Sequence, residues 1–219
     1  MSTATVTPLG HSGVRLDKAG LALVIDPGAF SDRSGLETAG AVLVSHEHPD
    51  HLDLDRLREA MDDSQTLAVW GPPDVAARLV QAGAPEGRVH AVAAGDRFTA
   101  AGFSVEALGE GHAVVYPGLP GVQNRAYLID GAVLHPGDSL DNLPASAVEV
   151  LLLPVSAPWL KLAEAIDYLR AVRPARAVPI HDAILSDAGK QLVDRVVGSL
   201  AGDIGYQRLA AGEPFAYGS

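Results

Sequence analysis

Seven consecutive residues, Ser45-His46-Glu47-His48-Pro49-Asp50-His51, bring three imidazoles and the Asp50 carboxylate together directly after the apolar run Ala41-Val42-Leu43-Val44. Side chains two apart on extended backbone point the same way, so His46 and His48 can grip one ion as a pincer. Pro49 sets its own φ and biases His48 away from helical geometry, so the chain bends before Asp50 and His51. Those two are then better aimed at a second ion, and paired-metal sites hold their ions about 3.5–4 Å apart. Imidazole with some carboxylate suits zinc first, with manganese, iron or nickel as the alternatives. The chemistry expected of such a centre is hydrolysis by metal-activated water.

The elements around the run must hold it still. Ala41 to Val44 reads as a buried strand, and Asp53 is placed to cap a helix through Leu54-Asp55-Arg56-Leu57-Arg58-Glu59-Ala60, where Leu54 and Leu57 recur at helical spacing. A solvated histidine-rich loop or a stray metal-binding patch would not need this setting of strand, ligand loop and helix. Further ligands must come from elsewhere in the chain. His112 follows the alternating stretch Phe103 to Leu108 and is flanked by Gly109 and Gly111, Asp138 follows Ala132 to Gly137, and His181 ends Ala177-Val178-Pro179-Ile180. Each closes an apolar run, so the three can converge at one mouth of a sheet.

With these residues in hand, the chain resembles the metallo-β-lactamase superfamily of metallohydrolases. The H-x-H-x-D-H signature stands complete as His46, His48, Asp50 and His51, and Asp26, His112, Asp138 and His181 look like the ordered single-residue motifs that accompany it. The resemblance runs from about His11 to His181. It implies a four-layer αββα sandwich of two mixed sheets flanked by helices, two divalent metal ions and a hydrolytic activity. One ion would be held by His46, His48 and His112 and the other by Asp50, His51 and His181, with Asp138 bridging. A hydroxide shared by the ions would be the nucleophile, with Asp50 positioning metal and nucleophile and no covalent intermediate.

Leu9-Gly10-His11-Ser12-Gly13 and Pro179-Ile180-His181-Asp182 are similar to the small bacterial branch that includes ascorbate-6-phosphate lactonase and uncharacterised metal-dependent hydrolases. The stretch Gly109-Glu110-Gly111-His112-Ala113-Val114 lacks the T-P-G-H-T-P-G run of the glyoxalase II-like members, which argues against thioester and β-lactam substrates. His48 stands where di-iron redox relatives carry glutamate, which argues against electron transfer. The expected bond is a small ester, lactone or phosphoester. Phosphodiester cleavage is the alternative, and a metabolite sensor that keeps metal without catalysis is the alternative of a different class.

Composition sets the outer limits. The chain of 219 residues is 47% hydrophobic and 20% charged, as expected for one globular domain spanning residues 1–219. Its formal net charge of −11 opposes general nucleic-acid binding, which relies on cations that neutralise phosphates. There is no cysteine, so neither disulfides nor thiolate ligands are available. No apolar segment reaches the roughly 20 residues that span a bilayer, and no signal-peptide pattern opens the chain, so a cytoplasmic protein acting on a small molecule is expected. Self-association is left open.

The pattern alone gives α/β. Strands are expected over Thr3 to Leu9, Val14 to Asp17, Leu21 to Ile25, Thr66 to Trp70, repeatedly from Arg88 to Leu134, over Val150 to Pro154, at Ala177 and over Ile204 to Leu209. Helices are expected over Pro72 to Gln81, Leu160 to Ala171 and Ser186 to Ser199. The order of elements hints at two related halves. His11 is a candidate proton donor or ligand-orienting group, and Asp26 a candidate acceptor for a ligand imidazole N–H. His90 and His135 read as structural. Trp159 can wall a pocket and Lys161 reads as solvated, while Tyr116 to Val122 can form a rim or a subunit contact and Arg125 can bind an anion or pair with a carboxylate.

Overall fold

The computed structural model describes residues 4–218, so Thr3, the first residue of the expected opening strand, lies outside the described residues. The first sheet begins with an antiparallel meander of β1 (Ala4–Gly10), β2 (Gly13–Lys18) and β3 (Leu21–Ile25), after which β4 (Ala41–Leu43) pairs parallel to β3. Helix α1 (Leu54–Asp63) leads to β5 (Ala68–Gly71), and α2 (Pro73–Gln81) leads to β6 (Val89–Ala91), both strands extending the parallel part. The second sheet repeats the plan. Strands β7 (Arg97–Ala100), β8 (Phe103–Leu108), β9 (Ala126–Ile129) and β10 (Val133–His135) form the meander. Then β11 (Val150–Pro154), α3 (Leu162–Val172), β12 (Arg176–Ile180), α4 (Asp187–Leu200) and β13 (Gly205–Tyr206) supply the parallel part. The last strand, β14 (Phe215–Tyr217), returns to the first sheet and pairs antiparallel with β1. The order is β14-β1-β2-β3-β4-β5-β6 in one sheet and β13-β12-β11-β10-β9-β8-β7 in the other.

The layers follow from which face each side chain takes. Along β4 and β11, Leu43, Val150 and Leu152 join the core between the sheets. Val42 packs outward under Leu57, Met61, Val75 and Leu79 of α1 and α2, and Leu151 and Leu153 pack outward under Ile166, Leu169 and Val197 of α3 and α4. Strands covered on both faces explain why these segments are continuously apolar rather than alternating. The result is the expected αββα sandwich. Tyr127 is fully buried and its hydroxyl donates to the Val44 carbonyl at 2.9 Å, tying the second sheet to the end of the strand that feeds the histidine run. Among the described residues no helix is long and apolar enough to cross a membrane.

Local chemistry explains the boundaries. Ala19-Gly20, Ala101-Gly102 and Asp130-Gly131 all carry positive φ and close tight hairpins. The Asp53 side chain accepts from Arg56 N and caps α1 as expected. Helix α3 starts two residues later than expected because Lys161 N donates to the Glu164 side chain at 3.1 Å, which leaves Ser156 to Leu160 as loop. Two expectations are corrected. The strand expected over Ile204 to Leu209 is confined to Gly205–Tyr206, because Arg208 turns to the carboxylates of Asp182 and Asp194. The strands expected to run from Arg88 to Leu134 are interrupted by an irregular segment over residues 109–125, where a single bridge joins Gly111 to Gln123.

Asp194 accepts from Arg208 Nε at 2.7 Å and from the Tyr206 hydroxyl at 2.6 Å. Burial opposes its charge, but these donors hold its pKa below the usual carboxylate value. A depressed folded-state pKa gives stability that is present above the unfolded value of about 3.9 and is lost as pH falls through the folded one. Asp194→Asn should therefore lower stability at pH 7 by about 1 kcal/mol, allowing for solvent screening of this partly exposed group. The difference in urea midpoint should narrow as pH drops below about 4, and a deficit that stays constant into acid would contradict the assignment.

Candidate metal centre

The ligand loop follows β4 and is held from below by Asp26, which sits at the end of β3 with φ of 49° and is fully buried. Its carboxylate accepts from Ser45 N at 2.7 Å, from Ser45 Oγ at 2.7 Å and from His51 Nδ1 at 2.7 Å. The single Ser45 hydroxyl proton is committed to Asp26, so the 3.0 Å contact between Ser45 Oγ and His46 Nδ1 is donated by the imidazole. His46 and His51 are thereby both fixed with hydrogen on Nδ1 and a lone pair on Nε2. The turn after Pro49 is closed by His51 N and Leu52 N donating to His48 O at 3.0 and 2.9 Å.

Three groups of donor atoms result. His46, His48 and His112 lie with their ligand atoms within 4.8 Å of one another, as do His46, His51 and Asp138, and also the group His11, Asp50, His51 and His181. The Nε2 atoms of His51 and His181 each stand 3.2 Å from an Asp138 oxygen, and that of His112 stands 3.4 Å away. Every residue singled out in the sequence as a metal ligand is thus gathered in one cluster at the strand ends. His112 arrives by the longest route, four residues beyond β8, where His112 N donates to Val122 O at 2.9 Å.

The donor set fits a cation. His112 and His181 each donate Nδ1–H to a backbone carbonyl, of Ala113 and Ser156 respectively, which points their Nε2 lone pairs inward. Those two Nε2 atoms and Asp138 Oδ1 are buried without a hydrogen-bond partner. Buried polar atoms are rarely left so, and a positive ion among them would satisfy all three.

Electrostatics follow from the packing. Burial and the neighbouring His51 imidazole hold the His46 pKa well below its ordinary value. Burial also disfavours a charge on His51, yet Asp138 and Asp26 outweigh it and raise its pKa well above the usual range. His181, opposed by burial but flanked by Asp138 and Asp50, is pushed up to about 9, so a cation bound here would displace the protons that these carboxylates otherwise draw to the Nε2 atoms of His51 and His181. Against their own burial, Asp50 is held low by His11 and His181, and Asp138 is held low chiefly by His51.

His11 does not offer a free lone pair to the centre. Ala183 N donates to its Nδ1 at 3.2 Å, so the proton is on Nε2 and is donated to Asp50 Oδ2 at 3.0 Å. Burial lowers its pKa, consistent with a neutral ring. His11 and His181 both have positive φ, 49° and 59°, and His181 N donates to His11 O, so two strained turns brace each other.

The remaining candidates separate cleanly. His135 is saturated, donating Nε2–H to Ser12 O and accepting from Gly137 N, and His90 stacks on Trp70 with centroids 4.7 Å apart; both are structural. Trp159 does reach the centre, and its indole N–H donates to Asp138 Oδ2 at 2.8 Å. The Lys161 side chain is 83% exposed and solvated. Arg125 takes neither proposed role, since its guanidinium donates to backbone carbonyls of Val92, Gly109, Glu110 and Asn124 and so holds the irregular segment. Two contributors carry no sequence signal of their own. Ser45 relays Asp26 to His46, and Asn124 accepts from Asp138 N at 3.0 Å while donating to Pro136 O, clamping the turn that presents Asp138.

Comparison with known proteins agrees with this architecture. The model of the beta-lactamase superfamily domain matches residues 5–181. The chain is 41% identical over 187 residues to Rv0786c of Mycobacterium tuberculosis, covering 83% of this chain and 85% of that one. It is 32% identical over 124 residues to a UPF0173 metal-dependent hydrolase of Xanthobacter autotrophicus, covering 52% and 51%. Igni18, a metallo hydrolase from Ignicoccus hospitalis, superposes with a TM-score of 0.76 over 99% of both chains at 23% identity, a likeness of fold.

Proposed function

The chain belongs to the beta-lactamase superfamily of metal-dependent hydrolases, and from that premise we propose that it cleaves a small ester, lactone or phosphoester with the aid of two divalent ions, zinc foremost. The observation that carries this reading is the set of inward lone pairs on His112 and His181 beside the unpartnered Asp138 oxygen. His46, His48 and His112 would hold one ion, Asp50, His51 and His181 the other, and Asp138 would be shared. Such ions, when bound, lower the pKa of water to about 7 and stabilise negative charge developing on the substrate.

The chain's own residues supply orientation. His11 donates to Asp50 and keeps that carboxylate from rotating away, and Asp26 fixes the tautomers of His51 and, through Ser45, of His46. Trp159 holds Asp138 through its indole N–H. Both carboxylates are ionised at neutral pH, as anionic ligands must be. The proposed partner is a small molecule, since the net charge of −11 opposes phosphate-backbone binding.

The test is a metal assay coupled to a substrate panel. Purified protein should carry transition metal by plasma mass spectrometry, open a lactone ring or cleave a carboxylic or phosphoester, and lose turnover on chelation with recovery on readdition of zinc. Metal-replete protein inert across lactones, esters and phosphoesters, yet stabilised thermally by a metabolite, would replace this reading with that of a sensor.

A further inference from the structure

Two cavities touch the histidine cluster, and they differ in chemistry. One lies behind His11 and is lined by Asp182, Lys190 and Arg208, whose charges are already paired with one another. The other, of about 310 Å³, has His48 and His112 in its wall, and the rest of its lining comes from residues 113–122 with no charged side chain. Within that short stretch Val114, Val115, Tyr116 and Leu119 are 73%, 42%, 69% and 59% exposed. Exposed apolar side chains scattered singly need no explanation, but four gathered on one segment beside a cluster of ligand histidines do.

The segment is anchored at both ends. His112 N donates to Val122 O at 2.9 Å, Ala113 N donates to Asp138 O at 2.8 Å, and Gly111 bridges to Gln123. The apolar wall is therefore registered on the Asp138 turn itself. Away from the two histidines, an anionic or heavily hydroxylated group lying along residues 113–122 would lose water and find no charged donor, whereas a hydrocarbon would gain.

Resting on the hydrolase reading above, we propose that the substrate carries an uncharged apolar arm, aliphatic or aryl, that lies against Val114, Tyr116 and Leu119 while its scissile group meets the metal centre. This narrows the substrate class to esters or lactones with a hydrophobic substituent and sets aside phosphorylated sugars and nucleotides. Burying one methylene favours binding by up to about fourfold.

The test uses zinc-loaded protein and alkyl hydroxamates, from acetohydroxamate to octanohydroxamate, titrated by calorimetry. A hydroxamate head seeks the metal and the tail seeks the rim, so the two requirements are read separately. The dissociation constant should fall about two- to fourfold per methylene over the first several carbons. A Tyr116→Ser, Leu119→Ser double variant, altered only at exposed positions, should flatten that series while leaving acetohydroxamate affinity unchanged. Acetohydroxamate binding with no dependence on chain length would overturn the apolar arm and leave the hydrolase reading intact. Failure of every hydroxamate, acetohydroxamate included, would instead overturn the metal reading. A flat series accompanied by a dimer that the double variant converts to monomer would assign the rim to a second copy of the chain and overturn the proposal.

Discussion

His46→Ala and Asp138→Asn are expected to strip the centre of metal and to reduce turnover by more than about 100-fold, because replacing even the groups that merely orient a ligand costs 10–100-fold in affinity or activity. His46 belongs to two of the three donor groups, so its loss opens both. Asp138 lies within 3.4 Å of the Nε2 atoms of His51, His112 and His181, and its replacement by the isosteric amide keeps the shape while removing the charge that draws cations. Lys161→Ala is the control, since that side chain is solvated and should change neither metal content nor rate. Metal stoichiometry by plasma mass spectrometry and kcat/KM on the same preparations decide the matter. Unchanged stoichiometry in both ligand variants would contradict the assignment.

Gly28→Ala is expected to be nearly as damaging although Gly28 donates nothing to the centre. A Cβ at this position would stand 1.9 Å from the Asp50 carbonyl oxygen, 2.1 Å from its carbon and 2.5 Å from His51 N. These are backbone atoms of the ligand turn, which is itself held by Ala29 N donating to Pro49 O at 2.9 Å. Neither side can yield without shifting Asp50 and His51, so the cost should be about 3 kcal/mol or more. For a chain of this size that is a drop of roughly 6–12 °C in Tm. Metal affinity should fall together with stability. Gly87→Ala, where a Cβ meets nothing within 4 Å, should leave both intact. A Gly28→Ala protein with unaltered melting and full metal content would show that the turn has slack the packing does not suggest.

Much of the site was legible in the chain because its central part is local. His46, His48, Asp50 and His51 lie within one turn, and the bend at Pro49 is a property of proline rather than of the fold. The strand before and the capped helix after it were readable for the same reason. His112, Asp138 and His181 could be proposed as closing apolar runs, but their convergence depends on β8, β10 and β12 lying in one sheet, which the family resemblance supplied. The matching plan of the two sheets, a meander followed by parallel strands, bears out the hint of two halves.

What escaped was set by distant partners. The strand Phe215–Tyr217 is three residues in a Gly- and Pro-containing stretch and exists because β1 offers it an edge. Asn124 is one amide among many until the Asp138 turn closes on it. Arg125, offered a choice between an anion and a carboxylate, takes backbone carbonyls instead, since the irregular segment beside it leaves those acceptors without a ladder.

The donor cluster is recruited from both leaves of the sandwich, His46 to His51 from the first and His112, Asp138 and His181 from the second, with Tyr127 fastening the seam nearby. A chain emerging from the ribosome therefore carries only half a grip until its later strands arrive and dock. The complete donor set is thus a product of finished assembly, on offer only after the two leaves have closed on each other.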